Sequence, residues 1–175
     1  MDLENLLADK RSRVIKAWRE LIFGTYPDDS QRFLRKEKDQ FANPVGGVIS
    51  REIETLYDEI TTSCDTDRIS SCLDNIIRIR AVQDFRPSQA VAFVLQLKNI
   101  LREVIGDEIS LHGLSSEFQN FENRIDEIAL LAFDIYSSCR QKIYDVRVNE
   151  IKNQLGRLLE RANLTIEIPE QKPGL

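Results

Sequence analysis

Apolar residues recur along this chain at alternating steps of three and four, the period of a helix face, and almost nowhere at the two-residue alternation of a strand. The longest such stretch, Ser115 to about Arg161, covers 47 residues with no proline and one glycine, Gly156. It predicts one continuous helix on the order of 70 Å long at ~1.5 Å rise per residue. Its first half carries Phe118, Phe121, Ile125, Ile128, Ala132, Ile135 and Cys139 on one stripe. Between Ile128 and Tyr136 apolar residues spread around the helix, which predicts a hub buried on more than one side. Beyond Arg140 the stripe slips and restarts as Tyr144, Val148, Ile151, Leu155, Leu158 and Ala162. A helix this long outruns what its neighbours can cover, so Val148, Ile151, Leu155 and Leu158 are expected to form a dimer interface.

The remaining stretches also read as helices. Leu3, Leu7, Val14, Trp18, Leu21 and Ile22 predict a first helix over Asp2 to Phe23, closed by Gly24 in a left-handed C-terminal position. A short helical piece with Phe33 and Leu34 follows the Tyr26-Pro27-Asp28 turn. Asn43-Pro44 signals a helix start, because the asparagine accepts from first-turn amides and the proline at the first position loses no hydrogen bond. That helix runs to about Thr61. Gly46 and Gly47 in its first turn point to close approach of another backbone or of a ligand, with tight helix packing the ordinary account. Asp65 caps the next helix, whose stripe is Ile69, Cys72, Leu73, Ile76 and Ile79. Pro87 opens another, Ser88 to Ile105, closed by Gly106 and followed by a loop from Asp107 to Leu114. The fold class is therefore all-α, with residues 1–163 as a single helical domain and residues 164–175 as a flexible, proline-broken tail.

Composition narrows function mainly by exclusion. A net charge of −5 argues against a nucleic-acid partner. No apolar run reaches the ~18 residues of a membrane span, and Met-Asp-Leu-Glu-Asn is no signal peptide, so a cytoplasmic place is expected. Cys64, Cys72 and Cys139 have neither metal-site nor redox spacing and read as reduced packing residues. The single histidine, His112, lies in a predicted loop with no nucleophile motif beside it. No Glu-x-x-His pair, P-loop or dinucleotide fingerprint occurs, so no metal, no cofactor and no enzyme activity are expected.

One dense polar constellation remains: Arg78, Arg80, Gln83, Asp84 and Arg86, leading into Pro87-Ser88-Gln89. It is a candidate anion or partner site, or else an intramolecular network reaching Asp134 or Asp126. Asp134 sits inside the predicted hub, where a buried carboxylate would need an arginine, Arg78 or Arg80.

Asn43-Pro44-Val45-Gly46, Arg78-Ile-Arg-Ala-Val-Gln-Asp-Phe85 with Pro87-Ser88-Gln89-Ala90-Val91-Ala92-Phe93 and Leu97-Lys98, and Ala132-Phe-Asp-Ile-Tyr136 with Cys139-Arg140 resemble the N-terminal domain of RsbT co-antagonist proteins of the RsbRD type. The resemblance spans about residues 10 to 155. It implies a globin-like helical bundle without haem, a sensory signalling module of stress-response regulation that stands before an output domain, in a family whose related modules dimerise. Residues after Asn163 are too few for such an output domain, which leaves a stand-alone sensor or adaptor, or the front of a longer protein. The expected function is regulatory, through protein–protein contact as a homodimer with an unidentified signalling partner. The alternative is a small-molecule sensor with a cavity near Gly46, Gly47 and Phe93.

Overall fold

The computed structural model describes residues 2–36, 42–83 and 85–162. Among these there are seven α-helices and no strand: α1 Leu3–Asp9, α2 Arg11–Phe23, α3 Asp28–Lys36, α4 Pro44–Thr61, α5 Thr66–Val82, α6 Pro87–Leu111 and α7 Ser115–Arg161. The chain divides into two compact units, Met1–Arg140 and Gln141–Leu175, so α7 contributes to both. Residues 164–175, read as a tail, lie outside the described residues.

Local chemistry sets most of the boundaries. The Asn43 side chain accepts from the Gly46 amide at 2.9 Å and donates to the Leu34 carbonyl at 3.1 Å, capping α4 while holding the end of α3 to it. A Cβ on Gly46 would stand 2.3 Å from the Asn43 side-chain nitrogen Nδ2, so the approach predicted at this glycine is made by the cap itself. Asp65 accepts from the Asp67 and Arg68 amides and starts α5. Pro87 occupies the first turn of α6, where its missing N–H costs nothing.

Three boundaries differ from the sequence expectation. The first helix is two, broken at Lys10, whose ψ of 2° leaves the helical range. Gly24 is right-handed, with φ −63°, and the chain turns on through Thr25 and Tyr26. α6 passes through Gly106 to Leu111, because the further turn buries Ile109, and only His112 to Leu114 link it to α7. The left-handed glycine is Gly113, φ +68°, in that link.

In the first unit the core lies between α2, α4 and α6, with α5 packed along α4. Trp18 of α2 is wholly buried, stacks tilted on Phe93 of α6 with ring centroids 6.1 Å apart, and donates from Nε1 to the Phe93 carbonyl at 2.8 Å. Tyr57 of α4 donates to the Leu7 carbonyl at 3.0 Å and secures α1. Up to Cys139, α7 buries one face only: Phe118, Phe121, Glu122, Ile125, Ile128, Ala129, Ala132, Tyr136 and Cys139.

The hub predicted between Ile128 and Tyr136 is therefore one-sided. Leu130 and Phe133 are exposed, and so is Asp134. Asp134 lies two residues from both Ala132 and Tyr136, about 200° around the helix from each, which puts it opposite the buried stripe. Asp134 is thus not a buried charge, and neither Arg78 nor Arg80 is hydrogen-bonded to it.

In the second unit α7 continues to Arg161. Val148, Ile151, Leu155 and Leu158 are exposed there by 47–59%.

Candidate functional site

The polar constellation of the sequence sits at the C-terminal end of α5, and the helix sorts its members onto different sides. Arg78 is exposed and paired with Asp74 one turn back. Arg80, two residues on and about 200° around, is wholly buried. Gln83 is exposed at the end of the helix, and Asp84 lies outside the described residues. Asp126, the other proposed partner, is bound by Lys98 of α6 at 2.6 Å.

Arg80 is the centre of the arrangement. Its Nη2 donates to the Gln89 carbonyl at 2.9 Å and to Thr25 Oγ1 at 3.1 Å, joining α5 to the first turn of α6 and to the turn after α2. Three rings surround the guanidinium: Phe85 at 4.2 Å, Tyr26 at 5.7 Å and Phe93 at 5.9 Å from its carbon to the ring centroid. Tyr26 and Phe85 also meet edge to face at 5.2 Å. Cation–π contact of this kind offsets part of the desolvation of a buried cation. Burial nevertheless lowers the Arg80 pKa, and no carboxylate among the described residues pairs with it. Arg80 Nε and Nη1 and the Tyr26 hydroxyl are buried without a hydrogen-bond partner. Burial raises the Tyr26 pKa, and the neighbouring guanidinium pulls it back.

The same corner is fastened to α7. Tyr136 Oη donates to the Phe85 carbonyl at 2.7 Å, and Arg140 Nη1 donates to the Ala81 carbonyl at 3.0 Å. Phe85 is thus engaged by both residues, its ring by Arg80 and its carbonyl by Tyr136.

Tyr26 also lines a groove of about 400 Å³ with Phe33, Leu34, Pro44, Val45 and Gln83, edged by Asp29, Ser30 and Asn43. The cavity expected near Gly46, Gly47 and Phe93 is not one site. The two glycines line a charged groove with Arg19, Glu20, Arg35, Arg51 and Glu54, whereas Phe93 belongs to the Arg80 cage.

Other reactive groups are occupied structurally. Burial pushes the Cys72 thiol up to about 11, and Glu52 and Glu59 reinforce the shift. Glu59 is held by Arg68 at 2.8 Å and by Ser63, and Glu122 by Arg102 at 2.7 Å. His112 is exposed at the end of α6. The three cysteines are free thiols, and the described residues hold no cluster of three metal-ligating side chains. No helix among them is long and apolar enough to cross a membrane.

Residues 12–151 match the family model of the RsbT co-antagonist protein RsbRD N-terminal domain. The chain belongs to this family. RsbRD N-terminal domains are regulatory, sensory domains, and the resemblance carried by the Asn43, Arg78–Phe93 and Ala132–Arg140 segments is thereby confirmed. An uncharacterized protein of Archaeoglobus fulgidus is 25% identical over 146 residues, which cover 80% of this chain and 83% of that protein. No solved structure matches. The family match contains the whole Arg80 corner and ends at Ile151, inside the exposed stripe of α7.

Sequence reasoning saw the arginines but not which one mattered. The α5 stripe had a signal for it: Leu73, Ile76, Ile77 and Arg80 follow the three-and-four spacing, while Ile79, through which the expected stripe continues toward Phe85, is only half-buried.

Proposed function

We propose that this RsbRD N-terminal domain is a non-enzymatic cytoplasmic module that receives a signal in its helical unit and passes it along α7 by pairing with a second copy. Its output would be protein–protein contact in the RsbT partner-switching system of stress regulation, as the family's name suggests. The observation that carries the pairing is the stripe Tyr144, Val148, Ile151, Leu155, Leu158 and Ala162. Its alternating steps of four and three are the 3.5-residue repeat of a coiled-coil seam, and a second copy offers an identical seam.

The exposures give a magnitude. Val148, Ile151, Leu155 and Leu158 are each about half exposed, so covering one recovers roughly 1 kcal/mol. Two chains together recover about 8 kcal/mol gross, and association costs of about 4 kcal/mol or more bring this to a dimer of millimolar strength from these four residues alone. Light scattering across a concentration series tests it. Wild type should pass from monomer to dimer as the concentration rises toward millimolar, whereas Leu155→Asp with Leu158→Asp should stay monomeric because half of that gain is gone. A wild type that is monomeric throughout removes the pairing and this route for the signal.

A further inference from the structure

The groups around Arg80 describe a binding site as well as a structural corner. A guanidinium cannot shed its proton inside a protein, so this wholly buried one, with no carboxylate partner among the described residues, carries a charge that they leave uncompensated. The Gln89 carbonyl, the Thr25 hydroxyl and three ring faces engage it, but none of these is an anion. The donors left over are Nε and Nη1, and the buried Tyr26 hydroxyl beside them, near enough for it and the guanidinium to shift each other's pKa, has no other partner. Tyr26 connects this corner to the groove, since its ring lies by the guanidinium and the residue also lines the groove with Phe33, Leu34, Pro44 and Val45.

We infer that this corner binds a small organic monocarboxylate, its carboxylate taken by Arg80 and Tyr26 and its apolar body lying against Phe85 and along the groove. A monoanion matches the single buried positive charge. A phosphate would bring a second negative charge into an aromatic cage with nothing to balance it, and Asp29 at the groove's edge disfavours it further. A neutral ligand would leave the guanidinium uncompensated. Because Tyr136 and Arg140 fasten the same segment to α7, an occupied site would restrain the part of α7 that leads into the seam. Binding itself is independent of the pairing proposed above.

Titration calorimetry and thermal unfolding of the dialysed full chain test this, with sodium benzoate, sodium acetate, sodium chloride and benzyl alcohol as probes at matched ionic strength. Benzoate should bind saturably at one per chain and raise Tm. Acetate should do so more weakly, and chloride and benzyl alcohol should not. Tyr26→Phe, which keeps the ring, should weaken benzoate about tenfold, the loss of one hydrogen bond to a charged group. Arg80→Met should abolish binding, and Tyr26→Phe alone carries the test should that variant fail to fold. Asp84→Asn should leave binding intact or strengthen it. The inference is overturned by the absence of a saturable carboxylate effect, by equal responses to benzoate and benzyl alcohol, by chloride acting as well as benzoate, or by Asp84→Asn losing stability as a partner of Arg80 would. A chain that binds benzoate yet stays monomeric refutes the pairing alone.

Discussion

Replacing Tyr136 by phenylalanine removes one oxygen and leaves the buried ring in place. That oxygen donates to the Phe85 carbonyl at 2.7 Å and, with the Arg140 bond to the Ala81 carbonyl, ties α7 to the residues following Arg80. No other described hydrogen bond ends on that carbonyl, so the change removes its protein partner, while the half-buried position of Phe85 lets water replace part of it. The net cost should be about 1–1.5 kcal/mol. For a chain of this size about 2–4 °C of Tm accompanies each kcal/mol, so circular dichroism should show Tm lower by roughly 2–6 °C. Amide exchange should quicken at the end of α5 and in α7 near Tyr136, and stay unchanged in α4, which the bond does not touch. Asp134→Ala, two residues away on the exposed face, is the internal control and should change stability by no more than about 0.5 kcal/mol. If Tyr136→Phe leaves Tm where the control leaves it, the grip of α7 on this corner is not energetically real and the proposed route loses its first step.

Other outcomes follow from the same structure. Asn43→Ala should cost about 1–2 kcal/mol in urea denaturation, because one side chain caps α4 and also satisfies the Leu34 carbonyl. Gly46→Ala should also destabilise, by displacing that cap, and the double variant should cost less than the sum of the two. The Cys72 thiol titrates at about 11 in the folded chain against 9.0 for the free group, so the folded state holds its proton after the unfolded state has lost it. Its contribution is complete below pH 9, falls as pH rises toward 11, and amounts to about 3 kcal/mol at most. Denaturation midpoints of wild type and Cys72→Ala should therefore converge across that window, and a parallel course would refute the assignment.

Much of the fold was legible because its boundaries are written in single residues. Asn43, Asp65 and Pro87 each start a helix by local chemistry, and the limits of α4 and α7 follow. What was illegible depends on which neighbour is present. Nothing at Lys10 marks a break, being neither glycine nor proline, and the propensity cost of Gly106 was outweighed by burial of Ile109. Counting apolar residues around α7 suggested burial on two sides, yet Leu130 and Phe133 face outward and Asp134 with them. At the site, the sequence showed a cluster of arginines, but only the phase of α5 separates the solvated Arg78 from the enclosed Arg80. The aromatic cage draws on Tyr26, Phe85 and Phe93 from three separate places in the chain, a convergence that no local spacing announces.

The position of Trp18 gives this protein a built-in optical probe. It is the only tryptophan in the chain, it is sealed from water, and its ring lies 6.1 Å from that of Phe93, whose other neighbour is the Arg80 guanidinium at 5.9 Å. Indole emission responds to charge, and Phe93 links this indole to an arginine whose field a bound anion would neutralise. The colour of the light emitted by one residue of α2 would thus report an anion arriving in a corner assembled by α5, α6 and the turn between α2 and α3, with no label attached.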